Sequence, residues 1–263
     1  MIDFSNFLNV ALRAAKEGGD VALKYSEKIA VINKLTHVGE FNPVTHADLE
    51  AEKVICDLIR KEFPSHCIIG EESGSNELIS DYSWHVDPID GTNNYIRGIL
   101  NWGVMIGLCF KGEPVVGVIY MPVTGDVFQA VKGKGAFKNN EKITVSTVDK
   151  LSEAATECPG YLRGENRARA VIFFKTFLPV VRSYRHFGAS ALAFPMLAMG
   201  KLDLNIAEYY QLHDIVPGVI LVREAGGVAI DFNGNDWNMK SKGIIVASTR
   251  KLALAALEKV KEY

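Results

Sequence analysis

Long apolar runs are missing from this sequence. No stretch of its 263 residues reaches the ~18 consecutive apolar positions that a membrane-spanning helix requires, so no membrane span is expected. An excess of either charge is missing too. The formal net charge is −2, which leaves no global electrostatic case for direct nucleic-acid binding or for an anionic membrane surface. No Lys/Arg-rich run carries interleaved aromatics, and the densest basic stretch, YLRGENRARAV with Arg163, Arg167 and Arg169, reads as the start of a solvated helix. Cysteines at metal or redox spacing are also absent. Cys56, Cys67, Cys109 and Cys158 form no C-x-x-C pair, and the first three sit within apolar stretches, as buried free thiols in a reducing cytoplasm do. The segment MIDFSNFLNVALRAAKEGGD has no basic region ahead of an apolar block, so it reads as an amphipathic helix and not as a signal peptide. The expected compartment is the cytoplasm.

What is present is an ordinary globular composition, 48% hydrophobic and 23% charged, in a chain long enough for one large domain or two lobes sharing a sheet. Phe4, Phe7, Leu8, Ala11, Ala14 and Ala15 follow helical spacing, with Gly18 and Gly19 expected to end that helix. Residues 31–43 look like loop. Thr45 then looks like an N-cap with Asp48 three residues on, ahead of a helix whose apolar stripe is Leu49, Val54, Ile55, Leu58 and Ile59. CIIGEES reads as a strand ending at Glu71, and WHVDPID as one ending at Asp87. VMIGLCF, PVVGVIY and DVFQAV, separated by short turns, predict an antiparallel run. The polar, irregular stretch near 145–165 suggests a boundary between two lobes, 1–145 and 146–263. Beyond it come a helix over about 190–199 closed by Gly200, the strand KLDLNI, and a helix over about 215–225 closed by Gly226-Gly227. The strands GVAID and GIIVAS and a last helix from about Arg250 complete the chain. This mixture predicts helix layers packed on sheets.

The chemistry is concentrated in acids at strand ends. Glu71, Asp87 and Asp90 each lie at the carboxyl end of an apolar strand or in the loop after it. Carboxylates crowded there repel and raise one another's pKa values, and a hard divalent cation with oxygen ligands relieves that repulsion. Asp87 and Asp90 flank Pro88-Ile89 and can share one ion or bridge two, with the Ile89 carbonyl as a neutral ligand. Gly91-Thr92 supplies the opposite half, since backbone N–H groups at a glycine turn can approach an anion closely. Taken alone, D-P-x-D-G-T equally describes a solvated turn. GEES sixteen residues upstream, also at a strand end, favours a metal and phosphate site.

IIGEES (68–73), DPIDGT (87–92) and NPVTHAD (42–48) resemble the signature blocks of the inositol monophosphatase family, the Mg²⁺-dependent, Li⁺-sensitive phosphatases. The resemblance runs from about residue 4 to the C-terminus and includes GVIYMPVTGDVFQAVKGKGAF and FGASAL…GKLDL…HDIVPGVILVREAGG. It implies an α/β (α+β) fold, a layered α-β-α-β-α sandwich of the sugar phosphatase type. It implies two or three Mg²⁺ ions. Glu71, Asp87 and the Ile89 carbonyl would hold the first and Asp87, Asp90 and Asp214 the second, with Glu71 helping to place a weaker third. Gly91 and Thr92 would bind phosphate through backbone N–H groups, and Asp48 and Thr92 would orient and deprotonate the attacking water. Substrate contacts are implied at Asp90, Gly91, Thr92, Gly188, Ala189, Ser190 and Glu208. The implied activity is hydrolysis of a small phosphorylated polyol, inositol monophosphate first, by a homodimer.

The chain departs from the family at two places. The family usually has Trp before the last aspartate and Ala-Ala-Gly after it; here His213 precedes Asp214, and Val216-Pro217-Gly218 follow. The simplest reading of His213 is one ring packing in place of another. Asp214 itself reads as a helix N-cap with Pro217 in the first turn. Second, the glutamate that bonds substrate hydroxyls, seven residues before the aspartate, is Ala207 here, with Glu208 one residue later. That keeps open related substrates of the family, namely fructose 1,6-bisphosphate, 3′-phosphoadenosine 5′-phosphate and histidinol phosphate. It also keeps open a role as an interaction protein of the transcription or ribosome-maturation machinery, with which some bacterial relatives associate. Lys34 is a candidate for the lysine the family often places near the phosphate, and His37 shares its loop.

Overall fold

The computed structural model describes residues 3–26, 31–35, 41–157, 166–208 and 210–261, with the backbone alone for 33–35, 41–43 and 166–170. Helix α1 (Ser5–Ser26) is followed by an antiparallel hairpin of β1 (Val31–Leu35) and β2 (Phe41–Thr45), and then by α2 (His46–Glu62). β3 (Cys67–Gly70), β4 (Gly74–Ser75), β5 (Tyr82–Asp90), the short α3 (Thr92–Tyr95), β6 (Gly103–Phe110), β7 (Glu113–Met121), β8 (Asp126–Val131), β9 (Gly135–Lys138) and β10 (Glu141–Lys142) come next. Their strands form an eight-stranded sheet in the order β10-β9-β8-β7-β6-β5-β3-β4. β11 (Ala155–Glu157), α4 (Asn166–Phe177), β12 (Ser183–Arg185), α5 (Ser190–Ala198), β13 (Leu204–Ala207), α6 (Leu212–Glu224), β14 (Val228–Ile230), β15 (Ile244–Ala247) and α7 (Arg250–Val260) follow, with a five-stranded sheet ordered β12-β11-β13-β15-β14.

Three apolar layers set the architecture. Ala14, Ala15, Ile55, Ile59, Trp84, Val86 and Ile106 pack α1 and α2 on one face of the first sheet. Met105, Ile119, Phe194, Val219, Leu221 and Ile244 fill the space between the sheets around α5 and α6. Phe173, Phe177, Ile206, Ile245, Leu252 and Leu257 join α4 and α7 to the far face of the second sheet. The result is helices, sheet, helices, sheet, helices, the sandwich expected from the resemblance. Each fully buried Ile, Leu or Phe contributes about 1.5–3 kcal/mol of transfer free energy.

Several local expectations change. Gly18 and Gly19 do not end α1; they lie inside it, because a Cβ on Gly18 would come within 2.5 Å of Ile55 and one on Gly19 within 2.7 Å of Tyr120. The missing side chains let α1 lie close on α2 and the sheet, an advantage that outweighs glycine's poor helix propensity. Residues 31–35 and 41–43 are paired strand and not loop. Leu49 is exposed, because the inward position beside it belongs to Asp48. Cys67 is half-buried, while Cys56 and Cys109 are buried free thiols. Cys158, His37 and Arg163 lie outside the described residues, as do the side chains of Lys34, Arg167 and Arg169. Among the described residues, no helix is long and apolar enough to cross a membrane.

Candidate metal and phosphate site

The two acids of DPID share a face because the strand is irregular there. β5 does not end at Asp87 but continues to Asp90, pairing Asp87 with Met105 and Asp90 with Gly103. Three steps on β5 therefore oppose two on β6, which is a β-bulge at Pro88-Ile89. In a regular strand, side chains three apart point to opposite faces; the extra residue puts both carboxylates on one side. Pro88 suits the bulge because it has no N–H to give to a ladder. The Ile89 N–H turns back to Asp87 Oδ1 at 3.0 Å.

α6 brings Asp214 to the same place. Gly107 and Gly117 stand opposite each other in β6 and β7, and a Cβ on Gly107 would come within 2.6 Å of Val216, one on Gly117 within 2.6 Å of the Pro217 carbonyl. The bare patch of sheet seats α6 directly. Gly218 does the same toward α5, where its Cα faces the Phe194 ring. Asp214 is not the N-cap. That residue is Gln211, and Asp214 is the third helical residue, its carboxylate accepting the Gln211 backbone N–H. Pro217 consequently lies inside the helix and not in its first turn.

Two groups of ligand atoms result, Glu71, Asp87 and His213 in one and Asp87, Asp90 and Asp214 in the other, with the atoms of each group within 4.8 Å of one another. Asp87 belongs to both. Burial first, and then Glu71, Asp90 and Asp214, push the Asp87 carboxyl well above the usual carboxylate range. Burial and the Asp214 charge raise Glu71 to about 8; burial raises Asp90 and Asp214 to about 7. Among the described residues, no lysine or arginine forms an ion pair with any of the four. So many carboxylates without a protein cation fit a hard divalent ion. Asp90 also caps α5, accepting the backbone N–H groups of Ser190 and Ala191.

Thr45, Asp48 and Thr92 form a second, hydrogen-bonded cluster. Thr45 caps α2 in a capping box as expected, its N–H and hydroxyl both donating to Asp48 Oδ2 at 2.7 and 2.6 Å. Burial raises the Asp48 carboxyl to about 6, with the Thr45 bonds holding it down. Its other oxygen, Oδ1, lies 3.4 Å from the Thr92 hydroxyl, which is also 3.1 Å from the Ile89 carbonyl. One hydroxyl proton can serve only one acceptor at a time. Gly91 is left-handed (φ 92°), and a Cβ there would come within 2.9 Å of both Ala189 and the Asn101 carbonyl. That close approach joins the 91–92 turn to the 188–190 segment. Gly188 (φ 69°) sits against Asn94, Ala189 is buried, and Ser190 opens α5. Glu208 is half-buried in the loop between β13 and α6, one residue beyond Ala207, which packs in the core between the sheets.

Four supporting residues carried no assignment from the sequence. Glu52 is buried and accepts the Glu72 and Ser73 N–H groups at 2.8 Å each, which shapes the turn after Glu71. It stands four residues after Asp48 on α2, an acid on the buried face of a helix, and that spacing was the available signal. Glu157 accepts the Phe187 N–H (3.1 Å) and the Asn205 amide (3.0 Å), while Asn94 donates to the Phe187 carbonyl (2.9 Å) and the Asn101 carbonyl (2.7 Å). Phe187 is thus held on both sides, immediately before Gly188.

The match to the inositol monophosphatase family model covers residues 3–263. The chain belongs to the inositol monophosphatase family. It is 35% identical over 254 residues to inositol monophosphatase 3 of Solanum lycopersicum, covering 90% of each chain. It is 33% identical to the Nus factor SuhB of Pasteurella multocida, covering 96% of this chain and 95% of that one. Among solved structures, the inositol monophosphatase of Anabaena (Nostoc) sp. PCC 7120 superposes with a TM-score of 0.87 at 29% identity, covering 99% of this chain and 97% of that one. The extragenic suppressor protein suhB of Bartonella henselae gives the same TM-score and identity, over 98% and 99%. The chain is therefore a phosphatase of a metal-dependent family, and its acidic groups can bind metal.

Proposed function

We propose that the chain hydrolyses the monophosphate ester of a small polyol, inositol monophosphate first among them, with Mg²⁺ held in the acidic pocket. The observation that carries this reading is the pair of ligand groups joined through Asp87. Glu71, Asp87 and the Ile89 carbonyl would hold one ion and Asp87, Asp90 and Asp214 another, with Glu71 serving a weaker third. When bound, the ions supply positive charge and Lewis acidity against the phosphate oxygens.

The chain's own residues do the rest. The N–H groups of Gly91 and Thr92 receive phosphate at the start of α3. Asp48 accepts a proton from the attacking water through the Thr92 hydroxyl, a relay supported by the 3.4 Å contact and by a carboxyl raised to about 6, near a general base's working range. Gly188, Ala189, Ser190 and Glu208 would face the leaving alcohol. Because Ala207 removes the family's usual hydroxyl-binding glutamate, the substrate panel includes fructose 1,6-bisphosphate, 3′-phosphoadenosine 5′-phosphate and histidinol phosphate. Phosphate release is measured for each with Mg²⁺ and with EDTA. Release that persists in EDTA would end the metal mechanism; a bisphosphate or nucleotide preference would end the inositol reading alone.

A second reading has its own support, since several relatives at 32–34% identity carry the name Nus factor SuhB. Here the chain would act as a protein partner in transcription. Purification from extract before and after nuclease separates the readings, since RNA-dependent partners at near-stoichiometric yield favour this one. A homodimer is expected in either case, and sedimentation at micromolar concentration checks it.

A further inference from the structure

His213 stands where the family usually has tryptophan, and the fold gives it a different neighbourhood from that of a packing ring. It is the second residue of α6, buried (8% exposed), and its Nε2 lies 3.4 Å from Asp214 Oδ1. One ring nitrogen also belongs to the group it forms with Glu71 and Asp87, whose ligand atoms lie within 4.8 Å of one another. It therefore lies beside both ligand groups of the acidic pocket. An indole at this position has only an N–H to donate, whereas a neutral imidazole has a lone pair to give to a cation. His85, two residues before Asp87 on the same face of β5, is fully buried and its Nδ1 has no hydrogen-bond partner among the described residues.

We propose that His213 is a nitrogen ligand to the cation held by Glu71 and Asp87, so that this position favours a borderline first-row divalent ion such as Mn²⁺ over Mg²⁺. The inference rests on the metal-dependent reading above. An all-oxygen set suits Mg²⁺, and one imidazole among carboxylates moves preference toward the transition ions. The neighbouring Asp87–Asp90–Asp214 group keeps only oxygen ligands, so the two positions differ in kind within one pocket.

The test is electron spin-echo modulation of the Mn²⁺-loaded protein, with thermal-shift titrations of Mn²⁺ and Mg²⁺ alongside. Wild type should show imidazole nitrogen coupled to Mn²⁺. The coupling should persist in His85→Gln and vanish in His213→Gln and His213→Trp. In the His213 variants Mn²⁺ affinity should fall about tenfold or more while Mg²⁺ affinity changes less. Melting in EDTA checks that each variant folds, and the wild-type spectrum stands without any variant. Bound Mn²⁺ with no nitrogen coupling in wild type overturns the inference and leaves the metal-dependent reading intact. Coupling lost in His85→Gln but kept in His213→Gln overturns it in favour of the other ring. Failure of wild type to bind either ion overturns both.

Discussion

Glu71 beside the first sheet and Glu157 on the second are both raised to about 8 by burial, yet their surroundings differ in kind. Glu157 has a donor for each oxygen, the Phe187 N–H and the Asn205 amide, and these bonds partly offset its desolvation. Glu71 has acids for neighbours: Asp214, Glu72 and Asp48 raise it further, and the hydrogen bond that partly offsets them is shared with Asp87, itself an acid. One carboxyl is held by the fold and in turn holds the segment before Gly188. The other belongs to a cluster of acids that no lysine or arginine among the described residues pairs with. A buried polar group that finds its donors inside the protein reads as a structural connection; one set mainly among other acids reads as a candidate binding site for a cation.

The sharpest way to break this comparison is to remove the shared acid. Asp87→Asn should lower turnover by about 10³-fold and remove most of the Mg²⁺-dependent rise in melting temperature, because the residue belongs to both ligand groups. Asp90→Asn, which belongs to one, should keep part of that rise. Melting curves across a Mg²⁺ titration check both. Equal shifts in wild type and Asp87→Asn would mean that DPID is only a bulge.

Next in size is the pH dependence of the metal-free protein. The folded values of Glu71 (about 8), Asp90 and Asp214 (about 7) lie above the ordinary carboxylate range near 4 that the unfolded chain presents. The folded state therefore binds protons more tightly. The stability that these three groups contribute is fully present below about pH 4 and is lost as pH rises through 7 and 8. In EDTA the loss between about pH 5 and 8 should be on the order of several kcal/mol, and saturating Mg²⁺ should flatten or reverse it. Melting at a series of pH values with each additive reads this directly. A flat profile in EDTA would show that the acids are better solvated than their burial implies.

Much of the acidic pocket was legible in the sequence because its cues are local. Thr45 and Asp48 form the expected capping box, and Glu71 follows directly on β3 as a strand-end acid, although β5 runs on past Asp87 to Asp90. What stayed hidden was set by contacts distant in sequence. Gly18 and Gly19 look like a helix stop until Ile55 and Tyr120 are seen against them. Asp214 looks like a cap until α6 is seen to begin two residues earlier. The glycine pair at 107 and 117 has meaning only once β6 and β7 are in register beneath α6. The place of His213 needs β3, β5 and α6 together. The paired strands at 31–35 and 41–45 give little signal in sequence because they are short and Pro43 sits within one of them.

A smaller effect tests whether the acidic pocket depends on its own supports. Glu52 shapes the 71–73 turn through two N–H bonds, and Glu52→Gln keeps a single acceptor oxygen in the same volume. Metal affinity should fall about tenfold, the size typical of losing a bond behind a ligand, with the fold intact. Calorimetric titration with Mg²⁺ checks it, and wild-type affinity in the variant would show that the turn is set by its backbone alone.

The smallest effect is expected at Glu157, and it bears directly on the comparison. In Glu157→Gln one amide oxygen can still accept the Phe187 N–H, and Asn205 can turn its own amide to accept from the new N–H₂. The change near pH 6 should be about 1 kcal/mol or less, since wild type is itself largely protonated there. The sign should then move with pH. Wild type loses stability as pH rises through about 8, because its folded value is raised, while the amide has nothing to ionise. The variant should therefore gain on wild type between about pH 6 and 9. The Mg²⁺-dependent shift in melting temperature should not change, since Glu157 belongs to neither ligand group. Its charge reaches Asp90 through space, so this is a demanding control. A variant that lost the Mg²⁺ shift while keeping its metal-free melting temperature would place Glu157 with Glu71, as part of the charge that bound metal offsets.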